Sequence, residues 1–296
     1  MTPEVFLFQT TPEVFLFQTT PEVSLFQTTP EVSPKDEVSN MKLIWHGTAS
    51  VEIISDQNSA PSRILFDPFV PLPGSDVPVK IEDFDGFTDI FVTHGHLDHI
   101  SDLPEIVRRN PDVKIYCTQA PRDTLLRKGV SSRNIKLLKY NDSVQVGAFR
   151  IKALHGKHAL LPKGSISRLA YILRSPNRGN IPHIVKEHLR CVEKDQTLFY
   201  QIEAEGKTIC LMGSLNLRKE VDYPTGADLL VLPYNGWEDN YPPAVRTISR
   251  LKPKRVVLDH YDDTFPPITM PLDLQPILRR YREKVTPMKL GTPIDL

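Results

Sequence analysis

The stretch Phe91–Ile100, FVTHGHLDHI, places three histidines and an aspartate within six residues, directly after an apolar run. A short buried strand that ends in imidazoles and a carboxylate is a strong constraint. The strand needs cover on both faces, and the groups at its end need a partner that stabilises them. Residues two apart in an extended segment point the same way, so His94 and His96 can reach one ion. Asp98 and His99 follow where a helix starts and can face a neighbouring ion. Strand ends hold functional groups on a rigid base. Imidazole and carboxylate suit zinc, manganese or iron, and with no cysteine nearby a closed structural thiolate site is excluded. The pattern HxHxDH arises too rarely by chance for a solvated polar loop to be the better reading.

Around this cluster the chain alternates strand and helix patterns. KLIWHGTASVEII, RILFDPF and DIFVT read as strands. SDLPEIVRRN reads as a helix capped by Ser101 or Asp102, with Pro104 in its first turn. KIYCT is a strand, PRDTLLRKG a helix closed by Gly129, and IKLLKY a strand. SVQVGAFRIKALH gives two strands around a turn at Gly147, and RLAYILRS reads as another strand. A polar insert, PNRGNIPHIVKEHLRCVEKDQ, comes next. TLFYQIEAEGKTICLMGS is a hairpin turning at Glu205-Gly206. ADLLVLPYN is a strand, PAVRTISRL a helix, RVVLDHY a strand and LDLQPILRRYREK the last helix. Hairpins early and late, with helices between, point to two mixed sheets covered by helices, an α/β class, and not to one parallel sheet. No linker interrupts 41–296, which is read as one domain.

The first forty residues behave differently. TPEVFLFQT occurs at 2–10 and 11–19, TPEVSLFQT at 20–28, and a fourth copy decays from Thr29. The nine-residue period matches no common solenoid, and a proline in each unit opposes a continuous helix or central strand. Residues 1–40 are therefore read as a disordered low-complexity tail, and Met41 as the start of the domain and a candidate initiator.

Composition narrows the function. A formal net charge of zero gives no global pull toward nucleic acid or anionic membranes. Cys117, Cys191 and Cys210 are odd in number, far apart and without CxxC, which argues against a disulfide framework and fits a reducing cytoplasm. No run of about eighteen apolar residues exists, so no transmembrane helix is expected. Homo-oligomerisation stays open.

THGHLDHI resembles the signature of the metallo-β-lactamase-fold hydrolases, and the resemblance runs over nearly all of 41–282. WHGTASVEI resembles the family's opening strand pair and FDPF its aspartate-proline turn. The chain is most similar to the branch containing ascorbate-6-phosphate lactonase and the N-acyl-phosphatidylethanolamine phospholipases. The resemblance implies an αββα four-layer sandwich with metals in a cleft at one edge, and Asp67 as a residue behind the ligands. It implies three more ligand positions downstream. RIKALHGKH offers His155 and His158, and the branch pattern favours His158. VVLDHYDDTF supplies His260. Between them the family places an aspartate that bridges two metals, whereas CLMGSLNL has Ser214 at that place, with Asn216 a poor substitute.

The implied chemistry is a metal-dependent hydrolase. His94, His96 and His158 would hold one ion, and Asp98, His99 and His260 another. The ions would be zinc, one or two, or else manganese or iron. A metal-bound hydroxide would attack an ester, lactone or phosphodiester of a small molecule, with Asp98 as general base. Tyr234, Asn235 and Trp237 in PYNGWEDNYPP would wall the substrate, and Lys157, Lys163 and Arg168 would be available for an anionic group. The alternative, favoured by Ser214, is a degenerate non-catalytic binding protein. His183 and His188 read as surface residues or substrate-loop contacts, and His46 as packing near the first strand pair.

Deletion of residues 1–40 is expected to leave the melting temperature and metal content unchanged, because their recurring prolines and missing core give them nothing to pack with. Differential scanning calorimetry of the shortened chain checks this, and a loss of more than a few degrees contradicts it.

Overall fold

The computed structural model describes residues 41–296 apart from 57–60, 160–165, 236–239, 263 and 270–271. The tail at 1–40 lies outside the described residues.

Two seven-stranded mixed sheets form the centre. The first is built from β1 (Lys42–Trp45), β2 (Val51–Ser55), β3 (Ser62–Phe66), β4 (Asp89–Phe91), β5 (Lys114–Cys117) and β6 (Ile135–Leu137). The second holds β7 (Ser143–Val146), β8 (Phe149–His155), β9 (Leu198–Ala204), β10 (Lys207–Met212), β11 (Leu229–Pro233), β12 (Arg255–Asp259) and β13 (Val285–Pro287). The chain ends in β14 (Ile294–Asp295), which returns to pair with β1. Each half uses the same plan. The strands from β14 to β3 pair antiparallel and those from β3 to β6 parallel; likewise β7 to β10 pair antiparallel and β10 to β13 parallel.

Alternation along the strands sorts side chains between layers. Ile64 and Phe66 of β3, Ile151 and Ala153 of β8, and Leu229 and Val231 of β11 meet in one core between the sheets. Leu65, Ile90, Val92 and Ile115 point to the other face of the first sheet. There they pack under α1 (Leu97–Ile100), α2 (Leu103–Arg109) and α3 (Gln119–Arg127) through Leu97, Leu103, Ile106 and Leu125. The remaining helices are α4 (Ile166–Arg174), α5 (Ile181–Arg190), α6 (Tyr241–Leu251) and α7 (Gln275–Arg280). Leu230 and Leu232 of β11 and Leu258 of β12 face outward onto Ala244, Ile248 and Leu251 of α6 and Ile277 of α7. Helix, sheet, sheet and helix are therefore four layers. No helix among the described residues is long and apolar enough to cross a membrane.

Two expectations need correction. RLAYILRS is not a strand but lies within α4, and the polar insert contains α5. The reason is topological as much as local. β8 already has β7 on one side and β9 on the other, so this segment cannot pair beside the strand it follows. In PHIVKEHL, Ile184, Val185, His188 and Leu189 recur at helical spacing, a stripe hidden by the surrounding polar residues. A second departure concerns Asp102. It occupies the N-cap of α2, but its Oδ2 accepts the Val70 N–H at 2.8 Å and makes no side-chain bond to the helix.

The two sheets come into close contact where the loops after β4 and β10 begin. A Cβ on Gly213, just past β10, would be driven into the side chain of Thr93, just past β4. Thr93 is buried and hydrogen-bonded to Asp67, so it has little room to yield. Gly213→Ala is expected to destabilise the fold by about 1–3 kcal/mol, the cost of overpacking. Gly179→Ala, which meets nothing within 4 Å, should be close to neutral. Urea denaturation of both variants checks the difference.

Candidate metal centre

The site is assembled from loop beginnings at one end of the two sheets. From the first sheet come Asp67 after β3 and Thr93, His94, His96, Asp98 and His99 after β4. From the second come His158 after β8, Gly213 and Ser214 after β10, Asn235 after β11 and His260 after β12.

Asp67 organises the first group. It is fully buried, and its backbone sits in the left-handed region at φ 43°. Its Oδ1 accepts the Thr93 N–H at 2.8 Å and its Oδ2 accepts the Thr93 hydroxyl at 2.6 Å. His99 Nδ1 lies 2.8 Å from the same Oδ2. The Thr93 hydroxyl also lies 3.0 Å from His94 Nδ1. Both deep imidazoles are thereby held through Nδ1 from behind, which leaves their Nε2 atoms to face the cleft. His260 is likewise held in a left-handed conformation, φ 61°, with its N–H donated to the Thr48 carbonyl at 2.9 Å. Left-handed φ costs on the order of 1–2 kcal/mol for a residue with a Cβ, so the hydrogen bonds hold these two residues where they are.

Two sets of donors result. Ligand atoms of His94, His96 and His158 lie within 4.8 Å of one another, as do those of Asp98, His99 and His260. The rings of His94 and His158 are 4.9 Å apart, and those of His96 and His158 are 4.5 Å apart. His158 Nδ1 bonds the Ala159 carbonyl at 2.7 Å, which turns Nε2 toward the set. In the second set, His260 Nε2 is 3.2 Å and His99 Nε2 3.5 Å from Asp98 Oδ2.

Their electrostatics differ. Burial, then the neighbouring imidazoles, pushes His94 well below the ordinary histidine range, and His96 to about 3. Burial also lowers His158. All three are therefore neutral near pH 7 and carry lone pairs suited to a cation. The second set is charged. Burial opposes ionisation of His99, but the Asp67 and Asp98 carboxylates overcome it and raise the group to about 10. Burial would raise Asp98, yet His99 and His260 hold it well below the usual carboxylate range. His260 is disfavoured as a cation by burial but raised by Asp98. A divalent ion in this set would take the place of the protons that now compensate Asp98. Three neutral imidazoles beside a carboxylate and two imidazoles are a donor chemistry that fits borderline divalent ions.

Other expected residues fall differently. His155 closes β8, stacks on Tyr140 with ring centroids 3.7 Å apart, and has Nε2 3.1 Å from the Asp195 carbonyl; it joins neither set. Tyr234 does not wall the cleft. It continues the outward register of Leu230 and Leu232 and is buried in the core under α6. Asn235 does line the cleft, while Trp237 and Lys163 lie outside the described residues. Ser214 lines it too, and its Oγ accepts the Ala159 N–H at 2.9 Å. His46 bonds Glu52 at 3.0 Å, away from the centre. The residue most underweighted by sequence is His188, whose ring lies 5.7 Å from that of His96 and lines the cleft. The signal for it was the helical stripe in the supposed polar insert. The cysteines are free and buried.

Comparison with known proteins gives a consistent picture. The family model described as beta-lactamase superfamily domain matches residues 62–261. A UPF0173 metal-dependent hydrolase of Sulfolobus acidocaldarius is 36% identical over 81 residues, 26% of this chain and 32% of that protein. One from Polynucleobacter asymbioticus is 25% identical over 86% of each chain. Across three curated relatives the chain spans 30% to 50% of their length. A solved metallo hydrolase of Ignicoccus hospitalis superposes with a TM-score of 0.57 at 19% identity, covering 86% of this chain and 98% of that one, a likeness of fold alone.

His158→Ala is expected to lower bound metal by more than half, and His155→Ala to leave it unchanged. Elemental analysis of the purified variants decides, and the opposite pattern would reverse the assignment.

Proposed function

Because the chain belongs to the beta-lactamase superfamily, we propose that it is a metal-dependent hydrolase of an ester, lactone or phosphodiester bond. The observation that carries this reading is the pair of donor sets, each within 4.8 Å, side by side in one cleft. The printed names of its relatives, metal-dependent hydrolases, support it. The branch of ascorbate-6-phosphate lactonase and the N-acyl-phosphatidylethanolamine phospholipases remains the finer assignment, suggested by the detail of the resemblance, in which His158 follows the strand RIKAL by a few residues.

His94, His96 and His158 would hold one ion and Asp98, His99 and His260 the second, with zinc preferred by the nitrogen-rich donors and manganese or iron as alternatives. When bound, such ions supply Lewis acidity and lower the pKa of water from 15.7 toward about 7. The protein's own residues do the rest. Asp98 reaches into the cleft and accepts the proton of the attacking water. Asp67 and Thr93 fix the rings of His94 and His99, so the donors need no rearrangement during reaction. Asn235 lines the same cleft and is a polar contact for substrate.

Elemental analysis tests the reading. One or two equivalents of zinc, manganese or iron are expected. No metal, even after reconstitution, would favour a non-catalytic binding protein, the second reading that Ser214 supports.

Ser214 also generates a quantitative expectation. Asp98 is the one carboxylate in the two donor sets, and two divalent ions beside it repel strongly in a partly desolvated cleft. The Ser214 hydroxyl is neutral and already accepts the Ala159 N–H. The first ion should therefore bind tightly and the second weakly. Ser214→Asp is expected to raise the stoichiometry toward two and to increase turnover. Titration calorimetry with zinc checks it; if the unaltered protein binds two ions tightly and the variant changes neither quantity, Ser214 does not occupy a bridging place.

A further inference from the structure

We infer that the cleft takes a neutral acyl ester or lactone carrying an apolar chain, with α5 forming the wall along which that chain lies. The inference rests on the reading of the two donor sets as a metal centre and selects among the bonds that reading leaves open.

The cleft has a volume of about 440 Å³ and a floor made by the donor histidines and Asp98. Its walls are apolar. Ile184, Val185 and Leu189 of α5 line the cleft together with Phe265 and Ile268, and Ile184, Phe265 and Ile268 belong to one apolar cluster. On α5, residues 184, 185, 188 and 189 share one face of the helix. Ile184 is buried, whereas Val185 is 52% and Leu189 74% exposed. Five large apolar side chains are exposed among the described residues, and four of them, Tyr171, Leu173, Val185 and Leu189, lie on α4 and α5. Single exposed apolar side chains are ordinary, but Val185 and Leu189, on one helix face and both lining the cleft, mark a surface that is covered by apolar matter in use.

Charge points the same way. Among the described lining residues there is no lysine or arginine, and Asp98 is the one carboxylate. Among the described lining residues a phosphodiester anion would find no lysine or arginine to pair with. The chain does have cations close in sequence, but it gathers them elsewhere. Lys157, Arg218, Lys219, Arg246 and Arg250 surround a separate cavity of about 390 Å³. The Arg218 and Arg250 guanidiniums there are engaged by backbone carbonyls of Gly156, Arg218 and Val221. A neutral acyl group asks for no cation and gains from every methylene laid against Val185 and Leu189. His188, on the same face and 5.7 Å from His96 ring to ring, is the polar group between that wall and the floor.

The reaction balances with water alone. The water oxygen bonds to the acyl carbon, the acyl C–O bond breaks, and the leaving alkoxide takes a proton. The products are a carboxylic acid and an alcohol, joined in one molecule when the substrate is a lactone. Nothing is oxidised or reduced.

The test uses the full chain loaded with zinc, with metal content measured first. Alkyl hydroxamates from acetohydroxamate to octanohydroxamate are titrated by calorimetry, and p-nitrophenyl esters of matching acyl length are assayed beside bis(p-nitrophenyl) phosphate. Affinity is expected to rise about tenfold for each two methylenes added until the chain fills the cleft. The kcat/KM of the esters should rise in parallel and exceed that for the phosphodiester. The double variant Val185→Ser with Leu189→Ser, at exposed positions, should flatten the series while leaving acetohydroxamate affinity and metal content unchanged. A flat series in the unaltered protein, a series that survives the double variant, or faster phosphodiester cleavage would overturn the inference. If the protein takes up no metal, the metal-centre reading fails by itself. The wall is then judged by Nile red fluorescence of the metal-free chain: binding lost in the double variant upholds it, and no binding overturns it.

Discussion

A single buried carboxylate orders the site. Asp67 has no exposure to water, and a carboxylate taken out of water is costly unless hydrogen bonds and opposite charge offset the loss. Its oxygens are offset by the Thr93 N–H and hydroxyl and by His99. The same contacts tie the end of β3 to the end of β4, alongside the Asp67 N–H donated to the Phe91 carbonyl at 3.0 Å. Removing the carboxylate would therefore release more than one partner. The His99 ring would lose its orientation, Thr93 would be free to turn, and His94 would lose the hydroxyl that fixes its Nδ1. The second sheet reinforces the arrangement, since the Leu198 N–H reaches the Thr93 carbonyl at 2.7 Å and the Tyr200 hydroxyl the Val92 carbonyl at 2.8 Å.

The two donor sets are not equivalent, and the difference comes from their surroundings. His94, His96 and His158 have mostly one another for company, so burial and mutual repulsion keep them neutral. Asp98, His99 and His260 form a charge network in which the two imidazoles compensate the carboxylate. The first set presents open lone pairs, whereas the second must exchange protons for a cation. That asymmetry, together with a serine at 214, is the physical basis of the unequal affinity proposed for the two positions.

Much of this was legible in the chain. The strand endings before His94, before His158 and at Asp259-His260 all lie where the alternating pattern stops, and FDPF marked Asp67. Alternation also carries the reason why Tyr234 is not a cleft residue, since it shares parity with Leu230 and Leu232. The misreadings cluster in 166–190. Apolar residues there are interrupted by charge, proline and glycine, and LAYIL in RLAYILRS is a short apolar run that periodicity alone does not assign to strand or helix. Local propensity is weak in such a stretch, and tertiary context decides. The choice between His155 and His158 was similarly open, because both follow the same strand and the difference is which direction the chain takes after β8.

The sequence by itself determined the class of fold and singled out the donor candidates, His94, His96, Asp98, His99 and His260, with His158 favoured over His155 for the remaining place. Period-two apolar segments and breaks in them depend only on local order, and HxHxDH depends only on spacing. What the tertiary structure decided was everything that requires two distant segments to meet. It paired β8 with β7 and β9, and the segment after it forms α4 and α5. It laid α5 over the cleft, so that His188, Val185 and Leu189 stand beside His96. It drew Lys157 and the arginines of α6 into a separate cavity. These outcomes follow from which sheet edges are free and which surfaces are left uncovered once the sandwich has formed, quantities that exist only when the whole chain has packed.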